Sequence, residues 1–170
     1  MTSTPAFDAG ELARLKAELV RDEGLRLKVY RCTAGKRTIG VGRNLDDVGI
    51  LPDEARELGL TTDGAIRSGV TKAQAMALLD FDVERCVEQL DAKLAWWRGL
   101  NPVRRRVLAN MMFNLGPKRL LGFRNTLALM KAGDFARAAD GMKRSLWSRQ
   151  VGARAVRLVE MMKTGRELAK

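Results

Sequence analysis

The chain has 170 residues, with 31 Lys and Arg against 20 Asp and Glu, a net charge of +11, no histidine and two cysteines. The length suits one domain, or two small lobes around a shared helix, and 46% apolar with 30% charged residues argues against intrinsic disorder. The missing histidine excludes a Ser-His-Asp triad, a Cys-His pair and histidine-ligated zinc, while two cysteines are too few for a disulfide scaffold or a cysteine-only zinc site. Acid–base chemistry therefore falls to carboxylates, Lys, Tyr or Cys; reduced thiols are the default, and no metal or cofactor is expected.

Residues 9–23 predict a helix, with Leu12, Leu15 and Leu19 as its apolar stripe, Asp8 as N-cap, Glu11 closing a capping box and Gly24 as the stop. Over 25–42 the β-formers Val29, Tyr30, Thr33, Thr38, Ile39 and Val41 surround an Ala34-Gly35-Lys36 turn and predict an antiparallel hairpin with room for a third strand. The glycines at 40 and 42 suggest close packing or bends. Residues 43–69 read as loop, with a short helix over 52–58. Thr71 with Gln74 then opens a long helix whose stripe is Ala75, Leu78, Leu79, Val83, Val87, Leu90 and Leu94, ending near Trp96, Trp97 and Gly99. Four helices follow, over about 102–115, 124–132, 134–147 and 152–163. Gly116-Pro117 stops the first and Gly133 the second. Together these elements predict an α+β fold: a small β-hairpin lobe (9–70), a connecting helix (71–98) and a larger all-helical lobe (99–170) on which the N-terminal helix packs.

The charge is uneven. Residues 1–100 carry 15 basic and 16 acidic side chains, whereas residues 101–170 carry 16 basic and 4 acidic. A basic face suits nucleic acid, an anionic membrane or an anionic cell-wall polymer; a solvated surface without a dedicated partner is the plainer reading. Residues 1–9 lack the pattern of a secretory signal, and no run approaches 18 apolar residues, so no transmembrane helix is expected.

The chemistry concentrates between Asp22 and Gly42. Glu23 falls at the predicted helix C-terminus, where the negative end of the macrodipole disfavours a further negative charge and so favours the protonated acid. The hairpin begins directly beyond it, which allows Cys32 and Thr38 to face Glu23 across a cleft. Eight residues separate Glu23 from Cys32 and five separate Cys32 from Thr38. This Glu, eight, Asp-or-Cys, five, Thr spacing resembles the active-site pattern of the bacteriophage lysozyme (endolysin) family, T-even type. The blocks Asp22–Lys28, Thr38–Gly42, Asn110–Gly116, Gly122-Phe123, Asn125–Leu127 and Lys143–Trp147 also match, so the resemblance spans most of residues 9–165, with 43–69 as its least similar part.

The resemblance implies a lysozyme-like fold with an active-site cleft between the two lobes. It implies hydrolysis of the β-1,4 bond between N-acetylmuramic acid and N-acetylglucosamine in peptidoglycan, with Glu23 as general acid. Cys32 replaces the aspartate of the T-even pattern, and three roles are open for it: orienting water, acting as thiolate base, or attacking the sugar. Nearby Arg31 and Arg37 are candidates for lowering its pKa, and Thr38 for holding a water. The same alignment implies that Arg154 stabilises and orients ionised Glu23, and that Phe113 and Asn114 contact substrate; Tyr30 contacts the hairpin or the sugar. Trp96, Trp97, Trp147 and Cys86 read as packing residues. Expected partners are the peptidoglycan glycan strand and, through the basic lobe, anionic envelope polymers, with no specific nucleic acid, no stable membrane insertion and a monomeric state. Accumulation in the host cytoplasm, with release through a holin-type lesion or carriage in a virion, is the expected route. Two other readings compete: a catalytically weak relative binding cell wall or a protein, supported by the Asp-to-Cys change, and a basic nucleic-acid binder, supported by charge alone.

Overall fold

The computed structural model describes residues 4–168. Its elements run α1 (Ala9–Glu23), β1 (Arg26–Arg31), β2 (Arg37–Gly40), β3 (Arg43–Asn44), α2 (Pro52–Leu58), α3 (Thr62–Ser68), α4 (Lys72–Lys93), a 3-10 turn (Ala95–Gly99), α5 (Pro102–Leu121), α6 (Arg124–Ala132), α7 (Phe135–Arg144), α8 (Leu146–Val151) and α9 (Ala153–Thr164). The fold is α+β, mostly helical with one antiparallel sheet in the order β1-β2-β3. Two compact units divide it. One holds the chain up to Leu15 together with Cys86 onward, and the other is Lys16–Arg85, so the divisions fall inside α1 and α4.

In the unit Lys16–Arg85, β1 and β2 pair with Tyr30 opposite Thr38, and β3 pairs with β2 so that Asn44 also faces Thr38. Thr38 thus sits on the central strand. Ile39, Leu45, Leu60, Ala65, Val70, Ala75 and Leu78 form the core beneath the sheet, with Leu25, Val29, Ile50, Leu58 and Ile66 packed against it. The capping box opening α4 is complete: Gln74 N–H donates to Thr71 Oγ1 (3.1 Å) and Thr71 N–H to Gln74 Oε1 (2.9 Å). Most of 43–69 is not loop. Besides α2, a second helix, α3, starts where the Thr61 hydroxyl accepts from Gly64 N–H. Seven residues containing an internal glycine carry too little apolar periodicity to read as a helix.

In the other unit, Trp97, Leu108, Met111, Met112, Leu120, Met130, Met142, Leu158 and Met162 are buried together as its core. Here five methionines and a tryptophan supply much of the buried apolar volume, flexible thioethers adapting to whatever space the neighbouring helices leave. Asp8 caps α1 as expected, accepting from Glu11 N–H at 2.8 Å. The Glu11 carboxylate pairs with Arg14 and with buried Arg106, which also pairs with Glu167. α5 is broken at Gly116 (φ 73°, ψ 169°) and resumes at Pro117. The single helix expected over 134–147 is two. Ser145 is extended (φ −70°, ψ 156°), ends α7, and caps α8 through its hydroxyl, which accepts from Ser148 N–H at 3.1 Å.

Candidate active site

Glu23 is the last residue of α1, and Gly24 ends the helix with φ 78° while its N–H returns to Val20 O at 2.8 Å. The half-buried Glu23 side chain lies against Gly42. A Cβ built on Gly42 would sit 3.0 Å from Glu23 Oε2 and 3.2 Å from its Cδ and Cγ, and Gly42 has φ +70°. Glycine meets both demands, left-handed backbone and close approach, so the main chain after β2 forms a wall for the carboxylate.

Tyr30 stands between Glu23 and the hairpin turn. The Arg26 guanidinium lies 4.5 Å over its ring centroid. Partial burial, then the charges of Glu23 and Cys32, push the Tyr30 phenol above its usual pKa, against the opposing pull of Arg26. At the turn, Cys32 N–H and the Thr38 hydroxyl both donate to Lys36 O, at 3.0 and 3.1 Å. Desolvation raises the Cys32 thiol, but hydrogen bonds from the Ala34 and Lys36 amides, the Thr38 side chain and its own amide outweigh it and set the pKa below the ordinary thiol value. The lowering therefore comes from amide and hydroxyl donors. Arg37, one of the expected causes, pairs with Asp46 at 2.7 Å, and Arg31 donates to Gly35 O at 2.7 Å. Thr38 itself is only 3% exposed.

Directly after Gly42, Arg43 enters a buried network. Its guanidinium forks onto Glu54, Nη1 to Oε2 at 2.6 Å and Nη2 to Oε1 at 2.8 Å. Nε reaches Asp82 Oδ2 at 3.1 Å, and the remaining donors reach Gly49 O at 3.0 Å and Leu78 O at 3.3 Å. Arg85 completes the set, with Nη2 at 2.6 Å from Glu54 Oε1 and 2.9 Å from Asp82 Oδ1. Glu54 is 0% exposed, and although burial alone would raise its pKa, Arg43, the Leu51 amide and Arg85 lower it to about 2. Two cations and two carboxylates thus tie β3, α2 and α4 together.

Glu23, Tyr30, Cys32 and Thr38 therefore gather within the unit Lys16–Arg85. Phe113, Asn114 and Arg154 belong to the other unit. Phe113 and Asn114 are half-buried on α5, and Asn114 Oδ1 accepts from Trp147 Nε1 at 2.9 Å. Trp147 is buried and meets Phe123 edge-on, as a packing residue should. Arg154, buried at the start of α9, donates through Nε to Asn110 Oδ1 at 2.8 Å. Trp97 and Cys86 are buried too. Among the described residues no three His, Cys, Asp or Glu side chains are grouped to hold a metal ion, and no helix is long and apolar enough to cross a membrane.

The family model for phage lysozyme matches residues 20–163. The chain belongs to the phage lysozyme family. Membership places it among lysozyme-type glycoside hydrolases with a lysozyme-like α+β fold. Two relatives match nearly end to end: probable T4-type lysozymes 1 and 2 of Dictyostelium discoideum are 27% and 26% identical, each over 91% of this chain and 96% of their own length. The pre-baseplate central spike protein Gp5 of Enterobacteria phage T4 is 33% identical over 86% of this chain, which spans 27% of the spike protein's length.

Two features of this phage lysozyme relative escaped the sequence reading. Gly42 reads as a bend or a point of close packing, but that Glu23 is the group packed there is not legible, because the contact is 19 positions away. The Arg43 network had a signal: Asp82 follows Leu78 by four on α4 and so falls on the apolar stripe, where a carboxylate needs a partner.

Proposed function

We propose that this protein is a muramidase that cleaves the β-1,4 bond between N-acetylmuramic acid and N-acetylglucosamine in peptidoglycan, as a phage endolysin. The observation that carries the reading is the gathering of Glu23, Tyr30, Cys32 and Thr38 in one unit of a phage lysozyme family member. In the proposal Glu23 protonates the departing glycosidic oxygen as general acid. Gly42 leaves room for that carboxyl and limits where it can turn. Cys32 and Thr38 serve the water or the sugar carbon. The amide-rich turn favours the thiolate at Cys32, and the Thr38 hydroxyl, which has one proton, chooses between Lys36 O and the sulfur as the thiol ionises. Tyr30, Phe113 and Asn114 are proposed substrate contacts, and Arg154 a support for Glu23.

The basic residues beyond 100 are proposed to hold the enzyme on anionic envelope polymer. The proposed route is accumulation in the host cytoplasm and escape through a holin-type lesion; likeness to a central spike protein supports carriage in the phage particle as the second route.

Clearing of permeabilised Gram-negative cells by wild type and by Cys32→Ala, Cys32→Ser and Cys32→Asp tests the roles. Full activity in Cys32→Ala removes the thiol from catalysis, and rescue by Asp alone shows that the site needs an anion. Arg154→Ala is expected to move the alkaline limb of the pH–rate profile to higher pH, because the general acid Glu23 must be protonated to act and loses a cation that favours its ionised form; an unchanged limb removes Arg154 from the site. A cell-wall binder without catalysis would bind purified peptidoglycan yet release no new reducing ends.

A further inference from the structure

The geometry points to the buried Arg43–Glu54–Asp82–Arg85 network as a positioning device for Glu23, acting through Gly42. This rests on the reading of Glu23 as the general acid. Three observations lead to it. Gly42, whose main chain stands against the Glu23 carboxylate, is bonded directly to Arg43. Arg43 is 3% exposed, and its guanidinium donors are all engaged, by Glu54, Asp82, Gly49 O and Leu78 O. Arg43 also pairs with Ile39, so it sets the register of β3 on β2, the strand that carries Thr38.

A peptide unit anchored on one side by a five-donor fork has little freedom to shift. Gly42 has no side chain of its own to hold it, and glycine is the residue most prone to change backbone conformation. The fork supplies the rigidity that the glycine lacks. Glu54 is the central member, because its two oxygens bind both arginines and its Oε2 also accepts from Leu51 N–H at 2.9 Å, closing the start of α2. Arg43 and Glu54 are accordingly positioning residues: they touch neither substrate nor Glu23. Their effect falls on kcat, since misplacing a reacting group by about 1 Å costs on the order of a hundredfold. Binding of the glycan changes less.

Arg43→Lys keeps the charge and loses the fork, and Glu54→Gln keeps the shape and loses the charge. Both are compared with wild type and with Leu60→Ala, which weakens the same unit's core without touching the network. Steady-state rates on solubilised peptidoglycan strands are measured well below each variant's Tm, together with the 13C signal of the Glu23 carboxyl. Both network variants are expected to lose at least tenfold in kcat with KM within threefold, and to move the Glu23 signal, while Leu60→Ala keeps kcat within twofold. Equal kcat in network variants and control, or an unmoved Glu23 signal, overturns the proposal. If Arg43→Lys and Glu54→Gln fail to fold, Arg85→Met, at a side chain 29% exposed, removes one Glu54 partner more gently; a kcat loss of about threefold supports positioning and an unchanged kcat refutes it. Glu23→Gln separates the two levels. An inactive Glu23→Gln beside unaffected network variants sinks positioning alone, whereas an active Glu23→Gln sinks the catalytic reading beneath it.

Discussion

Glu54 makes acid stability a quantitative test of the network. Its carboxylate accepts from Arg43 twice, from Arg85 and from the Leu51 amide, with no solvent exposure. Its pKa lies at about 2 against an ordinary 4.5. At about 1.4 kcal/mol per unit, that difference corresponds to on the order of 3 kcal/mol of folding stability. The folded-state value is the lower one, so this stability is fully present above about 4.5 and is lost as the pH falls through about 2. Glu54→Gln leaves Arg43 and Arg85 with an uncompensated charge, and the expected cost at pH 7 is about 3–5 kcal/mol. Urea unfolding followed by circular dichroism reads it as a midpoint about 1.5–2.5 M lower, for an m value of about 2 kcal/mol/M. The gap between wild type and Glu54→Gln should narrow steadily from pH 4.5 to pH 2, because the wild-type carboxylate is itself being protonated. A gap below 1 kcal/mol at pH 7, or one that stays constant down to pH 2, would refute the reasoning.

Gly42→Ala introduces a Cβ 3.0 Å from Glu23 Oε2 at a left-handed position. The expected stability cost is about 1–2 kcal/mol, with a kcat loss on the order of a hundredfold; melting and steady-state kinetics check both, and full activity would show that Glu23 is not confined there. Alkylation of Cys32, followed by mass spectrometry, should show a midpoint below the ordinary thiol value, and Thr38→Val should raise it by removing one donor to the sulfur. Buried Cys86 should react far more slowly than Cys32.

The elements legible in the sequence were those with strong periodicity or strong punctuation. α1, the hairpin, α2 and α4 with its Thr71–Gln74 box announce themselves because the local pattern and the tertiary role agree. Ser145 shows the opposite case. Residues 134–147 keep a helical pattern, but the serine hydroxyl caps α8 better than it serves inside a helix, and the chain turns there. In the candidate site, the spacing of Glu23, Cys32 and Thr38 singles them out through the family pattern it resembles. The donors that lower the Cys32 pKa were not, because main-chain amides leave no mark on sequence, whereas Arg31 and Arg37 stood out as charges and turned out to be held by Gly35 O and Asp46. Arg43 and Glu54 lay in the stretch least like the family, and long-range ion pairs have no periodicity to reveal them.

The most direct measurement of the proposed chemistry is product analysis of purified peptidoglycan digested by wild type and by Glu23→Gln. Glu23→Gln removes the transferable proton and keeps the side-chain shape. Digests are reduced with borohydride and weighed by mass spectrometry. Muramidase action with Glu23 as acid yields fragments ending in reduced N-acetylmuramic acid from wild type, and a loss of at least a thousandfold in their rate of formation from a folded Glu23→Gln. The same fragments at similar rates from both proteins, or fragments ending in reduced N-acetylglucosamine, would contradict it.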